Sequence, residues 1–144
     1  MKLPALREQI ARKVQNLYGF SADMDQEVTV TSGATEALFD AIHATVSAGD
    51  EVIVFDPAYD SYDPAISLAG AKAIHIPLQL PDFSIDWDRV RACITTRTRL
   101  IVINTPHNPS GAECTRVYCA TKSCGNAASP CSPSARLITL RVGS

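Results

Sequence analysis

Short runs that are apolar on both faces, separated by stretches of helical period, constrain this chain most. Val52-Ile53-Val54-Phe55 and Leu100-Ile101-Val102-Ile103 are strand-sized and carry no polar side chain, as expected of strands covered above and below in a parallel sheet. Around them, Leu6, Ile10, Val14 and Leu17 predict a helix over residues 3–17, closed by Tyr18-Gly19. Ala34, Ala37, Leu38, Ala41, Ile42 and Val46 follow one helical face after Ser32-Gly33, with Gly49 as the stop. A short helix is predicted over residues 60–68, and another has Asp86 as N-cap with Trp87, Val90 and Ile94 on one side. Residues 28–31 read as a further short strand. In residues 73–78, Ile74, Ile76 and Leu78 alternate with Ala73, His75 and Pro77, the pattern of a strand nearer the sheet edge. Strands alternating with helices imply right-handed crossovers, hence an α/β fold with a mainly parallel sheet flanked by helices.

A length of 144 residues suffices for one domain with a usable core. The net charge of −2 gives no reason to expect nucleic acid or an anionic membrane as partner. The apolar runs are too short to span a bilayer, and Met1-Lys2-Leu3-Pro4 does not open a secretory signal, so a cytoplasmic location is expected. The charge is unevenly spread. Residues 1–111 hold nine of the 13 basic and 14 of the 15 acidic side chains, a balance of −5, which leaves +3 on residues 112–144. Cys114, Cys119, Cys124 and Cys131 also fall there, among scattered Ser, Pro and Gly. Their spacing is not that of a zinc ribbon and all three histidines lie upstream, so no metal is expected. Disulfides are disfavoured in a cytosolic chain. Residues 112–144 read as an unrelated tail, disordered or poorly packed, in which the run 137–142 retains strand character.

Three loops follow strands and are therefore expected along one edge of the sheet: residues 31–35, 56–59 and 105–111. In the first, Gly33, Ala34 and Thr35 lead into a helix whose first N–H groups lack internal partners, which suits a phosphate. Glu36 argues against it unless its carboxylate points away, and Ser32 and Gly33 also serve as a plain N-cap and turn. In the second, Tyr59 offers an aromatic face for stacking; Tyr62 reads as core or interface. In the third, Pro106 and Pro109 restrict the backbone around Asn108, whose amide can donate to a phenolate or carboxylate. The same residues also make an ordinary turn. His107 lies beside this loop, where a hydrogen bond within the turn is its expected role.

Leu6-Arg7-Glu8, the run from Thr29 through Gly33-Ala34-Thr35-Glu36 to Leu38, Gly49-Asp50-Glu51-Val52, Asp56-Pro57-Ala58-Tyr59-Asp60-Ser61-Tyr62 and Asn104-Thr105-Pro106-His107-Asn108-Pro109-Ser110-Gly111 together resemble the class I/II aminotransferases of fold type I, in order and in spacing. Within that family the similarity is to the methionine and kynurenine aminotransferase branch. The resemblance implies that residues 1–111 are part of the large, cofactor-binding domain and that the cofactor is pyridoxal 5′-phosphate. It implies a transferase that moves an amino group from an amino acid, methionine-like or aromatic, to a 2-oxo acid. It further implies that backbone groups at Gly33, Ala34 and Thr35 hold the cofactor phosphate and that Tyr59 stacks on its ring. Asn108 would then bond the ring oxygen and the substrate carboxylate, across a peptide bond to Pro109 that is expected to be cis.

Other family features have no counterpart here. The Asp-Glu-x-x-Tyr strand, the Ser-x-x-Lys that supplies the Schiff-base lysine and the carboxylate-binding arginine find no match after Gly111, and Lys2, Lys13, Lys72 and Lys122 are the lysines present. No catalytic residue is therefore assigned, and the chain is expected to be inactive alone. The family's homodimer leaves a second reading, a non-catalytic fragment that associates with a full-length relative. A third is an unrelated nucleotide-binding α/β module, which the glycine spacing disfavours.

Overall fold

Four strands form one parallel sheet among the described residues. The computed structural model describes residues 3–112 and, as backbone only, residues 136–140. In chain order the elements are α1 (Pro4–Tyr18), α2 (Ala34–Thr45), β1 (Glu51–Asp56), α3 (Tyr62–Leu68), β2 (Lys72–Pro77), α4 (Trp87–Cys93), β3 (Thr98–Asn104) and β4 (Arg136–Leu140). The chain divides into two compact units, Met1–Ala37 and Leu38–Ser144.

In the second unit, β1 lies between β2 and β3, and its alternate side chains enter two different cores. Val52 and Val54 join Leu38, Ile42, Ile66, Leu100 and Val102 on one face. Ile53 and Phe55 join Ile76, Val90 and Ile103 on the other. This two-sided covering is the physical reason for an unbroken apolar run, since each such side chain contributes roughly 1.5–3 kcal/mol on burial. Among the described residues β2 pairs with β1 alone, and its residues His75 and Pro77 are exposed, as the alternating pattern predicts for an edge. Asp86 caps α4 by accepting from the N–H groups of Asp88 and Arg89 at 3.1 and 3.0 Å. Arg136–Leu140 extends the sheet parallel to β3, with Asn104 opposite Leu140.

In the first unit, Pro4 opens α1 and left-handed Gly19 ends it by donating to the Gln15 carbonyl. Arg7 is the one buried side chain among the described residues of this unit. It binds the Asp25 carboxylate at 2.5 Å and the Met24 carbonyl, fixing the 23–27 turn.

Several boundaries differ from the sequence reading. Residues 28–31 form no strand: β-branched side chains there find no ladder partner among the described residues, and local propensity does not suffice without one. The third helix starts at Tyr62 rather than at residue 60, because Asp60 and Ser61 are used in a turn closed by Tyr62 N–H donating to the Tyr59 carbonyl at 3.1 Å. The loop 79–85 contains an antiparallel bridge between Gln79 and Ser84. Cys114, Cys119, Cys124 and Cys131, with the expectations about their metal binding, pairing and order, lie outside the described residues. Among the described residues no helix is long and apolar enough to cross a membrane.

Candidate functional site

Because β1 and β3 are parallel neighbours, the turns that follow them leave the sheet at the same end. The turn after β1 carries Tyr59, half-buried against the core that contains Val52 and Val54, its ring edge-on to that of Tyr62 at 5.7 Å and 79°. The turn after β3 carries Asn108, which is exposed and whose amide has no side-chain or backbone bond among the described residues. Both Thr105–Pro106 and Asn108–Pro109 are cis.

His107 organises this second turn. Its N–H donates to the Ala112 carbonyl at 2.7 Å, its carbonyl accepts from Gly111 at 2.6 Å, and its Nδ1 lies 2.7 Å from Ser110 Oγ. Burial pushes the imidazole below its ordinary value, while the nearby Pro57 carbonyl opposes that shift. The turns bearing Tyr59 and Asn108 are therefore adjacent, and His107 has the structural role expected of it.

Behind these turns, at the carboxyl ends of the strands, lies a small, partly open concavity of about 20 Å³ lined by Phe55, Tyr62, Leu78, Ile103, Asn104 and His107 among others. Two of its polar atoms, Tyr62 Oη and Asn104 Oδ1, are buried without a hydrogen-bond partner. Burial raises the Tyr62 phenol; Asn104 is close enough to offset part of that shift without meeting hydrogen-bond geometry. Tyr62 is core, as its position after the turn suggests, and it also lines this concavity. Asn104 was not singled out from sequence. The available signal was a polar side chain ending an otherwise apolar strand.

Gly33, Ala34 and Thr35 belong to the first unit, and all three are exposed. Gly33 has φ +129°, a conformation open to glycine, and its carbonyl accepts from Ala37 at 3.2 Å, so it caps α2. Thr31 Oγ1 donates to that same carbonyl at 2.9 Å. The leading N–H groups of Ala34 and Thr35 have no intrahelical partner. Glu36 turns back, its carboxylate accepting the Ser32 N–H, so the charge that argued against an anion at this end is engaged with the loop preceding the helix.

The family model for "Aminotransferase class I and II" matches residues 1–117. The chain is 57% identical over 106 residues to the methionine aminotransferase of Escherichia coli, covering 74% of this chain and 28% of that protein. It is 39% identical over 102 residues to the probable kynurenine–oxoglutarate transaminase BNA3 of Saccharomyces cerevisiae, covering 63% of this chain and 23% of that protein. Among solved structures, E. coli YbdL, described as having a methionine aminotransferase function, superposes with a TM-score of 0.83 at 45% identity over 96% of this chain and 35% of that one. The chain thus spans about a quarter to a third of the length of these relatives. It belongs to the class I and II aminotransferases.

Proposed function

We propose that this chain carries part of the cofactor-binding portion of a pyridoxal-phosphate-dependent aminotransferase that works between an amino acid and a 2-oxo acid. The observation that carries this reading is the adjacency of the turns bearing Tyr59 and Asn108 at the carboxyl ends of β1 and β3, beside the buried, unpartnered Tyr62 Oη and Asn104 Oδ1. An aromatic ring, an exposed amide and two unsatisfied polar atoms suit a flat ring bearing polar substituents. Aminotransferases of this family generally depend on pyridoxal phosphate, and the residues present fit it.

In this reading the N–H groups at Gly33, Ala34 and Thr35 bind the phosphate, Tyr59 stacks on the ring, and Asn108 donates to the ring oxygen and to the substrate carboxylate. When bound, the cofactor withdraws electrons from the substrate's α-carbon. The chain's own contribution is orientation: a stacked ring and a directed amide fix which substrate bond faces the ring. A methionine-like or aromatic substrate is supported by the names of the E. coli and yeast relatives. The family's homodimer is the proposed assembly; association of this chain with a full-length relative is the second reading. Family membership removes the alternative of an unrelated nucleotide-binding module. None of Lys2, Lys13, Lys72 and Lys122 stands in a Ser-x-x-Lys setting, which supports the reading that the 144-residue chain does not transaminate on its own.

Pyridoxamine 5′-phosphate carries an amine in place of the aldehyde and so does not condense with surface lysines. Its fluorescence should report saturable binding to the chain, weakened about tenfold in Asn108→Ala and in Tyr59→Ala. Pyridoxal phosphate followed by borohydride should leave no stoichiometric adduct in the mass spectrum. Linear, non-saturating titrations, or equal binding by all three proteins, would sink the assignment.

A further inference from the structure

His75, on edge strand β2, stands between two carboxylates from different elements. Its Nδ1 lies 2.9 Å from Asp56 Oδ1 and its Nε2 lies 3.1 Å from Asp63 Oδ1. Asp56 is the last residue of β1 and Asp63 the second of α3. The two carboxylates therefore hold opposite ends of the turn 57–61, which carries Tyr59. An ionised carboxylate only accepts hydrogen bonds, and a neutral imidazole donates from one nitrogen only. Both contacts are satisfied together when the ring carries both protons.

We propose that His75 is a positioning residue whose imidazolium ties both ends of the 57–61 turn to β2 and so fixes the orientation of the Tyr59 ring. The proposal deepens the cofactor-site reading and, where it concerns ligand affinity, rests on it.

The main chain leaves room for such a brace. One end of the turn is held by Leu78 N–H donating to the Asp56 carbonyl at 2.9 Å, and the interior by the Tyr62-to-Tyr59 bond; no backbone bond ties Asp63 to β2 among those described. The charged groups acting on the ring are Asp56 of β1 and Asp63 of α3. The hydrogen bond to Asp56 raises the His75 pKa most, burial opposes it, and Asp63 adds to the rise. Asp60, within the turn, makes no ion pair with the ring, and Lys72 at the start of β2 acts on Glu51. α4 packs on the other face of β2, through Ile74 and Ile76. All three paired side chains are more than a third exposed, so the brace adds little to global stability. Its consequence is local and orientational.

NMR of the 144-residue chain tests this without any cofactor. The His75 ring should titrate above its ordinary value, and the Tyr59 ring resonances should shift with the same midpoint. In His75→Gln the Tyr59 shift should lose that pH dependence, and in His75→Arg, which keeps charge and paired donors, the low-pH Tyr59 signal should persist to high pH. Pyridoxamine 5′-phosphate affinity should fall roughly two- to fivefold as pH rises through the His75 midpoint in the natural chain, and not in the Arg variant. Tyr59 signals that stay flat while His75 titrates, or that are unchanged in His75→Gln at low pH, overturn the brace. Coupling of Tyr59 to His75 in a chain that binds no ligand upholds the brace and removes the cofactor-site reading.

Discussion

Tyr62 gives the sharpest test at the scale of single residues, because the burial that stabilises its ring also strands its hydroxyl. A buried hydroxyl without a partner costs about 1–3 kcal/mol, so deleting it should not destabilise the ligand-free chain. Tyr62→Phe should melt at the same temperature as the natural chain or above it, while losing affinity for pyridoxamine 5′-phosphate. A clear drop in melting temperature would mean that the hydroxyl has a partner in solution. Gly33 makes a complementary case. A Cβ there would meet nothing within 4 Å, yet φ of +129° is rarely adopted by a residue with a side chain. Gly33→Ala should therefore cost about 1–3 kcal/mol through the backbone alone. If the loop binds phosphate, the same variant should narrow the difference in affinity between pyridoxamine and its 5′-phosphate. An unchanged difference would remove Gly33 from the phosphate site. The placement of Asn108 and Tyr59 in turns at one end of the sheet was legible because rigid turn residues follow each strand. The Asp56–His75–Asp63 contacts were not, since sequence separations of 19 and 12 residues carry no local signal.

Among the elements, β1 shows how the apolar reading succeeds and where it stops. The run Val52-Ile53-Val54-Phe55 marked the strand, but the ladder also takes in Glu51, a buried carboxylate that a hydropathy reading assigns to a loop. Glu51 is tolerated because Thr95 Oγ1 donates to it at 2.6 Å and Arg97 donates twice, at 3.0 and 2.7 Å. These partners lie 44 and 46 residues away, beyond the reach of periodicity. The Thr95 hydrogen bond, then that of Arg97, holds the Glu51 pKa below its ordinary value, against the opposing effect of burial. A carboxylate with a depressed folded-state pKa contributes stability above its unfolded pKa of about 4.5 and loses that contribution as pH falls through the folded value. Thermal melts should show the natural chain losing stability between pH 5 and lower values in a step that Glu51→Gln lacks. Arg97→Ala should cost about 1–2 kcal/mol at neutral pH, the low end for bonds to a charged group because the Arg97 side chain is 69% exposed. Identical acid profiles for the natural chain and Glu51→Gln would show that this junction is not the acid-sensitive one. The strand expected at residues 28–31 is the converse error. There propensity was read without a partner, and a strand exists only by pairing.

For the molecule as a whole, the distribution of burial separates the two units more sharply than composition does. Every buried hydrophobic side chain among the described residues lies at or after Leu38, whereas the earlier unit buries only Arg7. Charge and cysteine content point to a change of character near residue 112. They give no sign of one near residue 37, because α1 has the apolar spacing of a core helix even though Leu3, Leu6 and Leu17 are exposed. Opening energies within one protein range from nearly zero to the global value, and they follow buried apolar contact. β1 and β3, with six fully or nearly fully buried aliphatic side chains at Val52, Ile53, Val54, Leu100, Val102 and Ile103, should exchange their amide hydrogens most slowly. α1 should exchange orders of magnitude faster, since a helix of 15 residues without a buried apolar face is marginal in water. Hydrogen-exchange mass spectrometry of the chain resolves the two cases by peptide. Protection of α1 equal to that of β1 would mean that its exposed leucines are covered in solution, as by the second subunit of the proposed dimer, and dilution should then abolish that protection while leaving the sheet unchanged.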